Sequence, residues 1–141
     1  MKGIDDILAG ELVRSALAAR ERSHSPYSNF RVGAALLARD GTITTGCNVE
    51  ISSFSLTCCA ERTALFAAVA GGEKDFIAVA VVSDADETPP CGACRQALAD
   101  FNPHLEIILG REDGSFTRTT LDSLYPKPFL PTSFPHGNLS Q

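Results

Sequence analysis

With 141 residues, 44% of them hydrophobic, the chain can build one core and is too short for two comfortable ones. A formal charge of −5, no Trp and only two Tyr leave little basic or stacking surface, which argues against a nucleic-acid polymer as partner. Acids and arginine interrupt the apolar positions of the first twenty residues, unlike a signal peptide, and no run reaches membrane-spanning length, so a single cytoplasmic domain over 1–141 is expected, engaging no membrane.

Residues 4–21 place Ile4, Ile7, Leu8, Leu12, Ala16 and Ala19 at helical spacing with charges between them, the pattern of an amphipathic covering helix. The turn-rich stretch Ser23 to Asn29 leads into the apolar run Val32–Ala38. Asp40-Gly41 and then Thr42–Cys47 complete a hairpin signal, predicting two adjacent antiparallel strands. Ala60–Ala70 is alanine-rich and stops at Gly71-Gly72, as a helix with a glycine C-terminus does. Phe76–Val82 is apolar throughout, the mark of a strand covered on both faces. A second helix headed by cysteine is predicted over Gly92–Phe101 and a buried strand over Leu105–Leu109, so strands and helices alternate and the fold class is α/β. After a short helical turn near Asp122 to Leu124 comes a tail, from about residue 125, in which Pro126, Pro128, Pro131 and Pro135 break any regular element.

Chemistry concentrates in two short segments, Cys59-Ala60-Glu61 and Pro90-Cys91-Gly92-Ala93-Cys94. Five cysteines is an odd number, and in a reducing compartment the Cys91-x-x-Cys94 spacing points to metal or redox chemistry before disulfides. Both segments head predicted helices, where unpaired amides and the macrodipole favour thiolates. Cys91 and Cys94 share one face of a first helical turn and suit chelation of a single ion. Cys59 and Glu61, two apart, do not share a face, which lets the sulfur bind metal while the carboxylate reaches the open position from another side. Three sulfurs and one acid that does not ligate are the parts of a hydrolytic zinc site: Cys59, Cys91 and Cys94 as ligands, Glu61 as the catalytic group. A structural zinc in a non-catalytic binding module needs a fourth protein ligand from Cys47, Cys58 or a histidine. A redox motif would leave Cys59 and Glu61 idle. Cys47 and Cys58 read as packed residues, and His24, His104 and His136 as surface or loop residues. Three thiolates leave zinc with a net negative charge that weakens its pull on water. Arg62, next to Glu61, is the candidate to offset it by donating hydrogen bonds to the ligand sulfurs.

These residues resemble the small homotetrameric cytidine deaminases of pyrimidine salvage. The similarity runs from Pro26-Tyr27-Ser28 through Val32-Gly33-Ala34-Ala35, Gly46-Cys47-Asn48-Val49-Glu50 and Cys59-Ala60-Glu61-Arg62-Thr63-Ala64 to Pro90-Cys91-Gly92-Ala93-Cys94-Arg95-Gln96. The resemblance implies a three-layer α/β/α sandwich with a mixed sheet of about five strands and one Zn²⁺ per subunit. It further implies hydrolysis of cytidine or deoxycytidine to uridine or deoxyuridine and ammonia, with Glu61 shuttling protons between water, N3 and the leaving amine. By the same resemblance the Ala60 amide faces the base carbonyl, Phe30 stacks on the ring, and Asn48 and Glu50 hold the ribose hydroxyls. The Pro89 carbonyl faces the leaving amine, and Phe129 reaches into a neighbouring subunit's site. The alternation of a strand supports the sugar pair, since residues two apart point to one face while Val49 points away. Ser52-Ser53-Phe54 and Pro89 depart from the family's usual pattern. Those departures bear on the substrate, for which a modified cytosine nucleoside such as blasticidin S is the alternative.

Overall fold

In the computed structural model, which describes residues 3–134, Asp5 caps the first helix by accepting the Leu8 amide at 2.8 Å. Helix α1 (Asp6–Arg20) then buries Ala9, Leu12, Val13 and Ala16 completely, the stripe that its spacing demands. Strand β1 (Val32–Ala38) is buried along its whole length because both of its faces are covered. It pairs antiparallel with β2 (Ile43–Cys47) through the Asp40-Gly41 turn, and antiparallel on its other side with β3 (Phe76–Ser83).

Two helices lie on the opposite face from α1: α2 (Ala60–Ala70) and α3 (Gly92–Ala99). Helix α3 is the crossover between β3 and the parallel strand β4 (Glu106–Gly110), and β5 (Phe116–Thr120) closes the sheet in the order β2-β1-β3-β4-β5. Ala35, Leu37, Ala78, Ala80, Val82 and Ile108 face α1, whereas Ala34, Leu36, Val79, Val81 and Ile107 face α2 and α3. The expected three layers and five-stranded mixed sheet are therefore present. Among the described residues, no helix is long and apolar enough to cross a membrane.

The structure differs from the sequence reading in three places. Strand β5 lies where the hydrophobic pattern predicts none, because Phe-Thr-Arg-Thr-Thr at a sheet edge needs no apolar run. The turn at Asp113-Gly114 sets its register, with Gly114 at φ 89° and the Arg111 amide donating to Ser115 O at 2.8 Å. Helix α3 stops at Ala99, two residues early. There the Asn102 side chain donates to Phe76 O at 2.8 Å and draws the chain back toward β3. Strand β2 ends at Cys47, so Asn48 and Glu50 follow the strand: Val49 leaves β1 and pairs with His24 on one side and Cys58 on the other. Helix α4 (Leu121–Leu124) occupies the expected turn, and the tail as far as Phe134 is irregular but for a 3-10 turn at Pro131–Ser133. Pro135 and His136 lie outside the described residues.

Candidate metal centre and active site

The crossover logic of the sheet brings two helix N-termini together. Cys59 is the N-cap of α2 and Cys91 the N-cap of α3, and neither sulfur makes the side-chain bond with which a cap ordinarily satisfies its own helix. Both turn instead toward Cys94, fully buried in the first turn of α3, so that the three Sγ atoms lie within 4.8 Å of one another. Cys59 and Cys91 Sγ are 3.7 Å apart. A tetrahedral zinc with Zn–S bonds of about 2.3 Å requires a separation of ~3.8 Å, so the donor set fits the ion. Among the described residues no fourth Cys, His, Asp or Glu joins the group, and a structural site with four protein ligands finds no support. Cys58 and Cys47 stand outside it. Burial pushes the Cys58 thiol up, and Cys47 Sγ lies 3.4 Å from Arg22 O.

Charge is unevenly spread over the sulfurs. A hydrogen bond from the Cys94 thiol, with further help from Arg62 and Cys91, holds Cys59 down to about 5; the same bond, added to burial, pushes Cys94 up. The pair thus shares a proton that a metal would displace. Arg62 donates from one terminal nitrogen to Cys59 Sγ at 3.4 Å, and its neighbourhood of sulfurs raises its own pKa further. Its buried Nε finds no partner among the described residues. Glu61 is 4% exposed at the start of α2, and burial pushes its carboxyl up to about 7. Ala60 is fully buried as the first residue of α2, where the helix has no internal partner for its amide.

Asn48 and Glu50 form a second group. Asn48 Oδ1 accepts the Val32 amide at 2.9 Å and the Ser23 hydroxyl, and Nδ2 donates to Phe30 O at 2.8 Å. Glu50 Oε1 accepts the amides of Tyr27 and Ser28 at 2.9 and 3.1 Å, while Oε2 accepts the Ser28 hydroxyl. Together these contacts set the loop that carries Phe30, whose ring is 37% exposed. Pro89 lies exposed in the connection before Cys91. Phe129 is 58% exposed and packs edge-on against Phe134, with its backbone held by Gln96 of α3. Sequence reasoning missed Ser23, Ser28, Thr63 and Gln96 as supports, and only the polar richness of 23–29 hinted at two of them. A groove of about 1010 Å³ lined in part by Arg39, Asp75, His104, Glu106, Arg118 and Asp122 sits at the other end of the strands, with Arg39 paired to Asp75, Arg118 to Glu106, and the His104 ring 3.2 Å from the Asp122 carboxylate.

The comparisons agree with this geometry. Residues 8–109 match the family described as the cytidine and deoxycytidylate deaminase zinc-binding region. The chain is 47% identical over 120 residues to a cytidine deaminase of Halalkalibacterium halodurans, a match covering 84% of this chain and 91% of that protein. It is 49% identical over 121 residues to a cytidine deaminase of Sporosarcina psychrophila, covering 84% and 89%. Its structure superimposes on that of cytidine deaminase from Burkholderia pseudomallei with a TM-score of 0.80 at 46% identity, covering 84% of this chain and 97% of that one. With its three sulfurs converging at two helix N-termini beside a buried Glu, and with this breadth of similarity, the chain belongs to the cytidine and deoxycytidylate deaminase family.

Proposed function

We propose that this chain hydrolyses the C4 amine of cytidine or deoxycytidine, consuming water and releasing uridine or deoxyuridine and ammonia. The observation that carries this reading is the convergence of Cys59, Cys91 and Cys94 beside a buried carboxylate two residues from the first of them. One zinc per subunit, held by those sulfurs, would supply the Lewis acidity that makes water a nucleophile near neutral pH. Glu61, held near 7, sits where a carboxylate gives and takes a proton with equal ease. It accepts the proton of the attacking water and passes it to N3 as the water oxygen bonds to C4. It then takes the proton of the new C4 hydroxyl and delivers it to the amino nitrogen, which leaves as ammonia when the C4–N bond breaks and the oxygen remains as the carbonyl. Arg62 draws charge from the sulfurs.

The remaining residues orient the nucleoside. Glu50 uses three of its roughly four lone-pair positions within the protein, and Asn48 uses one of its two amide hydrogens. One acceptor on Glu50 and one donor on Asn48 remain, which suits the hydroxyls of a ribose. Phe30 offers a ring face to the base, the Ala60 amide its carbonyl partner, and the Pro89 carbonyl an acceptor for the leaving amine. Four copies would assemble so that Phe129 completes a neighbour's site. The single domain works on a small cytosine nucleoside in the cytoplasm.

Ultraviolet detection of deamination by the zinc-loaded protein tests the reading over cytidine, deoxycytidine, cytosine, cytidine monophosphate and blasticidin S, with Glu61→Ala as control. Loss of cytidine or deoxycytidine absorbance, falling at least about 10²-fold in a variant that still binds zinc, is expected. Appreciable turnover by Glu61→Ala would remove Glu61 from the mechanism. Activity on blasticidin S alone would keep the chemistry and replace the substrate.

A further inference from the structure

The residues proposed to read the sugar and those proposed to do the chemistry sit on separate segments, and three hydrogen bonds tie the two together. Val49 and Cys58 exchange both backbone bonds at 3.0 Å, which fixes the segment 48–50 to the residue just before Cys59. The third bond is made by a side chain. Thr63, one turn into α2, donates its hydroxyl to Cys47 O at 2.7 Å and also lies 2.9 Å from Ala60 O, so one hydroxyl bridges the end of β2 and the first turn of the helix. The neighbouring Gly46 lets this happen: a Cβ there would press on the Ala64 amide and the Thr63 hydroxyl and lie 2.7 Å from Ala60 O. Backbone comes close to backbone at this point, and the Thr63 hydroxyl is the side-chain group lodged between them.

We propose that Thr63 is a positioning residue for the reaction: its hydroxyl fixes the spacing between the sugar-reading segment Asn48 to Glu50 and the helical turn that carries Cys59 and Glu61. The inference rests on the proposed contact of Asn48 and Glu50 with the ribose. A nucleoside anchored at its sugar presents C4 to the metal side only if the two segments keep their separation, and displacements of about 1 Å cost roughly 10²-fold in rate. Thr63 touches neither substrate nor metal in this role; it acts through the backbone carbonyls of Cys47 and Ala60.

The test uses Thr63→Val, which keeps the branched shape and removes the hydroxyl, and Thr63→Ser, which keeps the hydroxyl. Each zinc-loaded protein is assayed with cytidine and with 3′-deoxycytidine, and rates are expressed per bound zinc so that misfolded protein does not count. Expected for the valine variant are one zinc per chain, a fall of roughly 10- to 100-fold in kcat/KM for cytidine, and a cytidine to 3′-deoxycytidine preference that shrinks toward one, with serine restoring both to within about twofold of wild type. Should the valine protein fail to fold, Thr63→Ala takes its place with the same expectation. A valine or alanine variant matching wild type per zinc, or keeping the full preference, would overturn the proposal alone. A wild type that treats the two nucleosides alike would overturn it together with the reading of Asn48 and Glu50.

Discussion

Arg62 belongs to the first turn of α2, and its guanidinium lies against the Cys59 sulfur. Thiolates gathered at one point need a compensating donor, and a planar guanidinium with several N–H groups serves more than one sulfur at once. Arg62→Gln is therefore expected to retain zinc and lose roughly tenfold in kcat, the scale on which partners of metal ligands act. Zinc content by atomic absorption and steady-state rates check this, and an unchanged kcat would rule the role out. At this scale the sequence was most legible where chemistry depends on near neighbours: Cys91-x-x-Cys94 and Cys59-x-Glu61 carry their geometry in their spacing. It was least legible where a residue is used by a distant loop. Nothing near Asn48 or Glu50 indicates that their oxygens also hold the amides of Tyr27, Ser28 and Val32, because those partners are 16 to 23 residues away. The same distance hides Thr63, whose acceptor Cys47 O is 16 residues upstream.

Among the elements, close backbone approach organises the layers more than side-chain bulk does. Gly33 in β1 lies under α1 so tightly that a Cβ would fall 2.5 Å from the Arg20 amide and press on Ala16 O. Neither backbone atom can rotate away, so Gly33→Ala must lift the end of α1 from the sheet. We expect a destabilisation of about 3 kcal/mol and, for a chain of this size, a Tm lower by roughly 10 °C. Thermal unfolding checks it, and a Tm within about 2 °C of wild type, the shift that only ~0.5 kcal/mol would give in a chain of this size, would contradict the close packing. The α1 helix, β1, β3 and α2 were readable in the sequence because each buries a continuous stripe or face, and burial leaves its period behind. The strand β5 was not, since an edge strand is specified by its turn and by its neighbour; Asp113-Gly114 supplied the turn, and the neighbour β4 becomes visible only in the folded sheet.

For the whole molecule, the exposed apolar groups matter most. Phe54, Leu56, Phe66 and Phe129 are each more than half exposed, which is costly for a chain that stays alone in water. Phe129 differs from the others in how firmly its backbone is set: Gln96, on the helix that bears Cys91 and Cys94, accepts the Phe129 amide at 3.2 Å and the Tyr125 hydroxyl at 2.7 Å. The ring is thus presented outward from a fixed support, as a group must be if it is to fill a cavity in a second copy. If each site borrows this ring, association and substrate affinity are linked, and an aromatic contact worth about 1 kcal/mol beyond its area translates into a KM several-fold higher when it is lost. Phe129→Ala is expected to raise KM for cytidine by roughly fivefold with a smaller change in kcat, and diluting the wild type below the dissociation constant of the assembly is expected to raise KM in the same direction. Sedimentation beside kinetics separates the outcomes. A variant that remains assembled with an unchanged KM would place Phe129 outside the neighbour's site, and a monomer with full affinity would show that each copy completes its own.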